Sequence, residues 1–414
     1  MNKIRIYPFQ LFVLTVSYTL GTAFFLRPGG WIRRAGPDAW MVPLAAGAVG
    51  VAMACLWLFV ARRYPEQSLV GVCVRLAGPW AGGAVALLYV FYFLQVSAWV
   101  VRNLGDFMKL SLMPKTPLTV FHLGFLVIAC YAVRNGAETV SRTTESLLSL
   151  ILFTVFSIFV FMFGEWNWER LQPFFRIGFR RLAETAAPSV GFPFTETIAI
   201  WMFFPYIRKR REAAFLGGLA AATVLLAVAT FFTVGILGVP RASRAIYPFF
   251  TIAQEMQIPP FFEHLEATVS IVLLVGIYLK LSIALFAAVE GVRQLFRLNG
   301  RTVAWPLGAL VAGLALQHHN ILENLEWDSR HTFAFMLPFG LIFPLALAMI
   351  AVFRVNPRAD ASSLEPADAR PGRRYAIAVA VAGIFALAQW ASIWAGRPFR
   401  PVVWIGDWLS RWGL

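Results

Sequence analysis

The stretch Ala187 to Phe204, APSVGFPFTETIAIWMFF, decides how this chain is read. It is apolar enough to lie in hydrocarbon, yet near its middle it carries Phe192-Pro193-Phe194-Thr195-Glu196. Proline removes a helical N–H and clashes with the preceding turn, and a carboxylate at membrane depth is expensive. Backbone interrupted in this way survives in a bilayer only where it is buried against protein or lines a cavity. The first apolar run, Pro8 to Leu26, carries a second interruption at Gly21-Thr22. Two interrupted spans at corresponding positions of two halves point to a transporter-type binding site.

The rest of the chain supplies the setting. Hydrophobic residues make up 59% of it and charged residues only 14%, and the apolar residues come in blocks. Crossing roughly 30 Å of hydrocarbon takes ~20 helical residues. Eleven blocks reach or approach that length, at about 8–26, 39–61, 80–101, 117–133, 146–163, 187–205, 213–236, 267–292, 302–317, 332–353 and 375–395. No strand-like alternation of the barrel kind appears, so the expected fold is an all-α polytopic membrane protein. The first block is followed by Arg27-Pro28 rather than a small-residue cleavage site, which reads as a retained span and not a signal peptide.

A net charge of +15 would suit a nucleic-acid partner, but the bases are dispersed over the loops between spans, where Lys and Arg set orientation. No nucleic-acid partner is expected. The cluster Arg208-Lys209-Arg210-Arg211 in a very short loop places the N-terminus inside, and eleven spans then place the C-terminus outside. Three cysteines and five scattered histidines form neither a disulfide framework nor a metal-ligand spacing, and His318-His319 reads as a solvated loop pair. No nucleophile elbow, phosphate loop or histidine cluster is present, so neither enzyme activity nor a cofactor is expected.

The first ten spans divide into two sets of five, each opening on its interrupted span. Each set has a longer amphipathic connection between its second and third spans, Pro65 to Pro79 in the first and Gly238 to Glu266 in the second. An odd number of spans per set turns the second copy upside down, so the pattern predicts a 5+5 inverted repeat. Trp166, Trp168, Phe174, Phe175 and Phe179, interleaved with Arg176, Arg180 and Arg181, predict a helix at headgroup level over Gly164 to Ala186. Residues 1–353 read as a ten-span core and 354–374 as a disordered inner linker. Residues 375–414 read as an additional span followed by an amphipathic tail with Trp404, Trp408 and Trp412.

Glu196 leads the residues that carry chemistry. It is either a ligand-site or proton-coupling group, or half of a buried structural pair. Lys280, near the middle of the eighth span, is too deep to snorkel; its ammonium either replaces a bound sodium ion or neutralises Glu196. Unwinding at Gly21-Thr22 would expose N–H groups and a helix-end dipole suited to a ligand carboxylate. Tyr92 with Val96, and Tyr92 with Gln95, share faces of the third span that wall a small pocket or simply pack. Glu290 with Arg293 reads as an interfacial ion pair.

Several short motifs, in order, resemble one family. They are Ile6-Tyr7-Pro8-Phe9-Gln10, Leu20-Gly21-Thr22, Leu26-Arg27-Pro28, Ala77-Gly78-Pro79-Trp80, Leu112-Met113-Pro114-Lys115-Thr116-Pro117, and Tyr131-Ala132-Val133-Arg134-Asn135-Gly136-Ala137-Glu138. Phe192-Pro193-Phe194-Thr195-Glu196-Thr197, Phe203-Phe204-Pro205-Tyr206 and Phe261-Phe262-Glu263-His264-Leu265-Glu266 follow. Together these resemble the spore-germination permeases, the B subunits of GerA-type germinant receptors within the amino acid–polyamine–organocation superfamily. The resemblance implies a leucine-transporter-like fold of ten core spans. It also implies a subunit of the spore inner membrane that senses a small nutrient, often an amino acid, beside a larger A subunit and a lipoprotein C subunit. By that pattern the pocket lies between the first, third, sixth and eighth spans, at Gly21, Tyr92, Val96, Phe194, Thr195 and Ser282, with Glu196 and Lys280 nearby. Thr22 joins the set from the first interruption. The rival reading is a stand-alone proton-coupled amino-acid transporter in which Lys280 replaces the sodium ion. The eleventh span, the Trp-rich tail and His264, where the family often has Arg, depart from the pattern.

Overall fold

A computed structural model describes residues 6–207, 209–255, 265–317 and 320–353. The expected linker, eleventh span and Trp-rich tail, with His264 and the His318-His319 pair, lie outside these residues. Among the described residues there is no strand. In chain order the helices are α1 (Pro8–Leu20), α2 (Ala23–Ala35), α3 (Met41–Arg63), α4 (Leu69–Ala77), α5 (Gly83–Phe107), α6 (Leu118–Arg134) and α7 (Ala137–Phe161). Then come α8 (Phe179–Ser189), α9 (Arg211–Ala242), α10 (Pro248–Glu255), α11 (Leu265–Phe296), α12 (Gly300–Leu314), α13 (Ile321–Leu337) and α14 (Phe343–Phe353). Six helical stretches among the described residues are long and apolar enough to cross a membrane, and the shorter Pro8–Leu20 and Leu118–Arg134 are apolar too. The protein is a multi-pass membrane protein.

Both interruptions read from the sequence are real bends in the backbone. The first span stops as α1 at Leu20, turns through Gly21 (φ 10°, ψ −109°), and resumes as α2. The sixth span runs as α8, widens into a π turn over Val190–Phe194, and leaves helical geometry at Phe192 (φ −115°, ψ 117°). It then continues as a 3₁₀ helix over Thr195–Tyr206. Runs longer than a few residues are uncommon for that tighter helix, and this one has 12. A third interruption was not read from the sequence: the tenth span widens over Pro338–Ile342 between α13 and α14.

The chain forms two compact units. One takes the chain up to Cys55 together with Ala137–Ile283; the other takes Leu56–Gly136 together with the described residues from Ala284 onward. In the first unit α1 packs on α7 and α9, and α2 packs on α8, α9 and α10. Gly50 of α3 gives room to Phe194, since a Cβ there would lie 2.8 Å from the phenylalanine Cβ. The expected headgroup helix is corrected here. Residues 164–178 form only two short 3₁₀ turns, Met162–Glu165 and Trp168–Leu171, and then irregular chain before α8 begins at Phe179. Buried Asp38 explains it: its carboxylate accepts from the backbone N–H groups of Phe175, Arg176 and Ile177 at 2.7, 2.7 and 2.9 Å. Three charge-assisted bonds to successive amides outcompete a helical path. Trp166 meanwhile packs at a tilt against Phe231 and Phe232 of α9, at centroid distances of 5.4 and 5.1 Å.

In the second unit the interrupted tenth span is fastened by side chains. Tyr89 Oη donates to the Phe339 carbonyl and Trp57 Nε1 to the Gly340 carbonyl, each at 2.7 Å. The ring of Tyr92 stacks on Phe339 with centroids 4.4 Å apart. Arg102 and Asp106 form a buried ion pair at 3.0 Å on α5, and Asn324 of α13 donates to Asn103 at 2.8 Å. The connection after the second span is helical where the amphipathic pattern placed it: α4 is capped by Ser68, whose hydroxyl accepts from Gly71 N at 3.2 Å. Within its counterpart, α10 covers Pro248–Glu255.

Candidate functional site

In the first unit the two bends come together around one ion pair. Lys280 Nζ lies 2.5 Å from Glu196 Oε2, with side chains 0% and 4% exposed. Glu196 stands in the first turn of the 3₁₀ stretch, one residue past Thr195, because the π turn ends there. Lys280 projects from the middle of α11, a continuous helix of 32 residues. Its stem rests on Gly21: a Cβ at that glycine would come 2.7 Å from Lys280 Cδ and 2.9 Å from its Cβ. Glycine is therefore required where the lysine stem crosses the bend. The ammonium also lies 4.2 Å from the ring centroid of Phe192 and 5.4 Å from that of Tyr18.

The freed carbonyls of the sixth-span bend are taken up by Arg27 of α2. Its Nε donates to the Phe192 carbonyl at 3.0 Å and its Nη2 to the Pro188 carbonyl at 3.3 Å. The same guanidinium lies 4.5 Å from the Phe192 ring centroid, so two cations approach one aromatic ring. Trp31 Nε1 adds a bond to Ser189 Oγ at 2.8 Å. Thr195 Oγ1 donates to the Val190 carbonyl at 2.8 Å, and Thr197 Oγ1 to the Phe194 carbonyl at 2.6 Å. The Arg27, Thr195 and Thr197 bonds satisfy backbone carbonyls that a straight helix would have paired by itself. Arg27 was visible in the sequence only as the end of the first span; its partners lie more than 160 residues away, where no spacing rule reaches.

Of the predicted site residues, Gly21, Phe194, Thr195, Glu196 and Lys280 are assembled at or beside the bends. Thr22 is buried directly after Gly21, and its Oγ1 has no hydrogen-bond partner among the described residues; the Tyr18 hydroxyl is likewise buried without one. Ser282 is buried two residues beyond Lys280, roughly 200° round the helix, so it serves another face. Tyr92 and Val96 are buried in the second unit, where Tyr92 packs on the tenth span. Glu290 does pair with Arg293, through bonds of 2.7 and 2.5 Å, and Gln294 adds a third at 2.7 Å. Among the described residues no group of three His, Cys, Asp or Glu side chains is placed to hold a metal ion.

A family profile described as "Spore germination protein" matches residues 5–323 of the chain. The chain belongs to the spore germination protein family. Spore germination protein KB of Bacillus subtilis (strain 168) is 27% identical over 86% of this chain and 97% of its own length. Spore germination protein A2 of the same organism is 23% identical over 84% of this chain and 97% of its own. Among solved structures, MhsT in complex with L-phenylalanine matches with a TM-score of 0.60 at 15% identity, covering 83% of this chain and 98% of MhsT. Mhp1, a nucleobase-cation-symport-1 family transporter in a closed conformation with bromovinylhydantoin bound, matches with a TM-score of 0.59 at 15% identity, over 83% of this chain and 78% of its own. At that identity the likeness is one of fold, and the fold is the leucine-transporter-like one that the family resemblance implied. Membership of the family accords with the ordered motifs from Ile6 to Glu266.

Proposed function

We propose that this member of the family is a germinant-sensing subunit that binds a small nutrient, an amino acid in the first instance, beside the Glu196–Lys280 pair. The observation that carries the reading is a buried ion pair that joins the bent sixth span to α11 beside the bend of the first span. A fully desolvated carboxylate and ammonium contribute little net stability over apolar packing, so retaining them in hydrocarbon marks a working group. The opening amides of α2 lack partners within that helix and carry its positive end, which suits a ligand carboxylate. The Tyr18 and Thr22 hydroxyls supply further hydrogen-bonding groups. A ligand that competes for Lys280 or Glu196 binds one arrangement of the bends better than another, and that difference in affinity drives the switch.

In this reading the subunit resides in the spore inner membrane and passes its change of state to A and C subunits. Tyr92, Val96 and Ser282 stay in the proposal as the residues that the family resemblance adds. The test is the nutrient response of spores carrying Glu196→Gln or Lys280→Met at wild-type levels of the protein. Loss of response is expected, and a normal response from both variants would overturn the reading. The transporter-type fold keeps the second reading, proton-coupled uptake, in view. Accumulation of labelled amino acid by vesicles holding this chain alone would favour it.

A further inference from the structure

We propose that a cavity on the membrane-facing side of the first-span bend is a binding site for a hydrocarbon chain of a bilayer lipid. The cavity encloses about 280 Å³ and lies within the first unit, walled by α1, α2, α7, α9 and α11. Its floor is the bend: Gly21, Phe24 and Gly276 line it. Its mouth lies between α7 and α9, where Phe156 is 68% exposed and Val228 43% exposed.

Three observations name the occupant. First, the lining is apolar apart from a single hydroxyl, that of Ser17. One hydroxyl cannot replace the hydration of a zwitterion, so a free amino acid is excluded from this space on energetic grounds. Cavities walled by aliphatic and aromatic side chains stay dry and take apolar guests, which excludes water as well. Second, only 22% of the apolar window of α7 is buried within the protein, so the outer face of this helix has hydrocarbon for solvent. An apolar opening beside such a face is in contact with lipid tails. Third, the lining meets α1 and α2 on both sides of Gly21, through Leu20 and Phe24. A chain segment seated there packs on both arms of the bend at once. It therefore favours whichever bend angle keeps the cavity open, which makes lipid occupancy a second input to the hinge.

The inference is independent of which nutrient, if any, binds at Glu196 and Lys280. Its test uses the full chain in vesicles of phosphatidylglycerol and phosphatidylethanolamine containing a phosphatidylglycerol with a diazirine midway along one acyl chain. After illumination, adducts are located by mass spectrometry. Adducts are expected on buried cavity residues such as Leu148 and Phe159, and they should be lost in Ala229→Phe, which fills the cavity from α9. Adducts at Phe153, an exposed α7 residue outside the cavity, should persist in the same variant. Val224→Phe, on an exposed α9 position outside the cavity, should leave the cavity adducts unchanged. If Ala229→Phe does not insert, Gly276→Val fills the same space from α11 and carries the same expectation. Cavity adducts that persist in the filling variant, or labelling confined to outward-facing residues, would overturn the proposal.

Discussion

Removing one charge from the Glu196–Lys280 pair separates stability from sensing. The two side chains are 4% and 0% exposed and 2.5 Å apart. Lys280→Met leaves a carboxylate buried without its counter-ion, a change that costs about 3–5 kcal/mol in comparable buried pairs. It also removes an ammonium 4.2 Å from the Phe192 ring, a contact contributing up to ~2 kcal/mol when desolvated. Glu196→Gln keeps a neutral acceptor facing Lys280 and falls at the lower end of that range. The double variant removes both charges and leaves one neutral amide, so it should recover most of the single-variant loss, because no uncompensated charge stays buried. Equilibrium unfolding of the full chain in mixed micelles, run as a double-mutant cycle, reads the coupling. The nutrient response of spores carrying the same three variants reads the function. The expected outcome is a double variant that is folded and deaf. Single variants within ~1 kcal/mol of the parent would refute the claim that the pair ties the sixth-span bend to α11. A double variant that germinates normally would refute its part in sensing.

Three further outcomes follow from the same contacts. Gly21→Ala should cost about 1–3 kcal/mol by driving the Lys280 stem off the bend, whereas Gly30→Ala, inside α2 with nothing within 4 Å of the new methyl, should lose no stability and gain up to ~1 kcal/mol in the same unfolding assay. Arg27→Gln leaves the Phe192 and Pro188 carbonyls without their guanidinium, at about 1–3 kcal/mol for each buried group left unsatisfied. Arg27→Lys should restore at most one of the two bonds, and thermal unfolding should rank parent above Lys above Gln. Asp38→Ala removes three backbone bonds from residues 175–177, and limited proteolysis should then cut within residues 172–178 while the spans stay protected.

The spans and both bends at the site were legible because membrane helices are written in long apolar runs, and Gly21, Pro193 and Glu196 break those runs conspicuously. The Glu196–Lys280 pair stood open as one of two readings, since an isolated charge at membrane depth demands compensation but does not name its partner. Three things were not legible. Arg27 looked like a boundary marker, because side-chain reach across 165 residues of sequence leaves no local trace. Residues 164–178 carried aromatic and basic side chains at spacings a helix would tolerate, and the pattern held no sign that Asp38 would claim three of their amides. Pro338 and Gly340 were visible, but the tenth span opens neither half of the repeat, and its carbonyls are fastened by Trp57 and Tyr89 from elsewhere in the chain.

The 3₁₀ segment that follows the sixth-span bend has a geometric consequence. Its 12 residues, at a rise of about 2.0 Å each, cover roughly 24 Å; the same residues wound as an α-helix would cover roughly 18 Å. Rewinding would draw its far end, at Tyr206, some 6 Å toward Glu196 and turn it by most of a revolution, without breaking the chain or moving the bend. The sixth span thus holds a reserve of length, on the scale of one helical turn, immediately beside the charged pair.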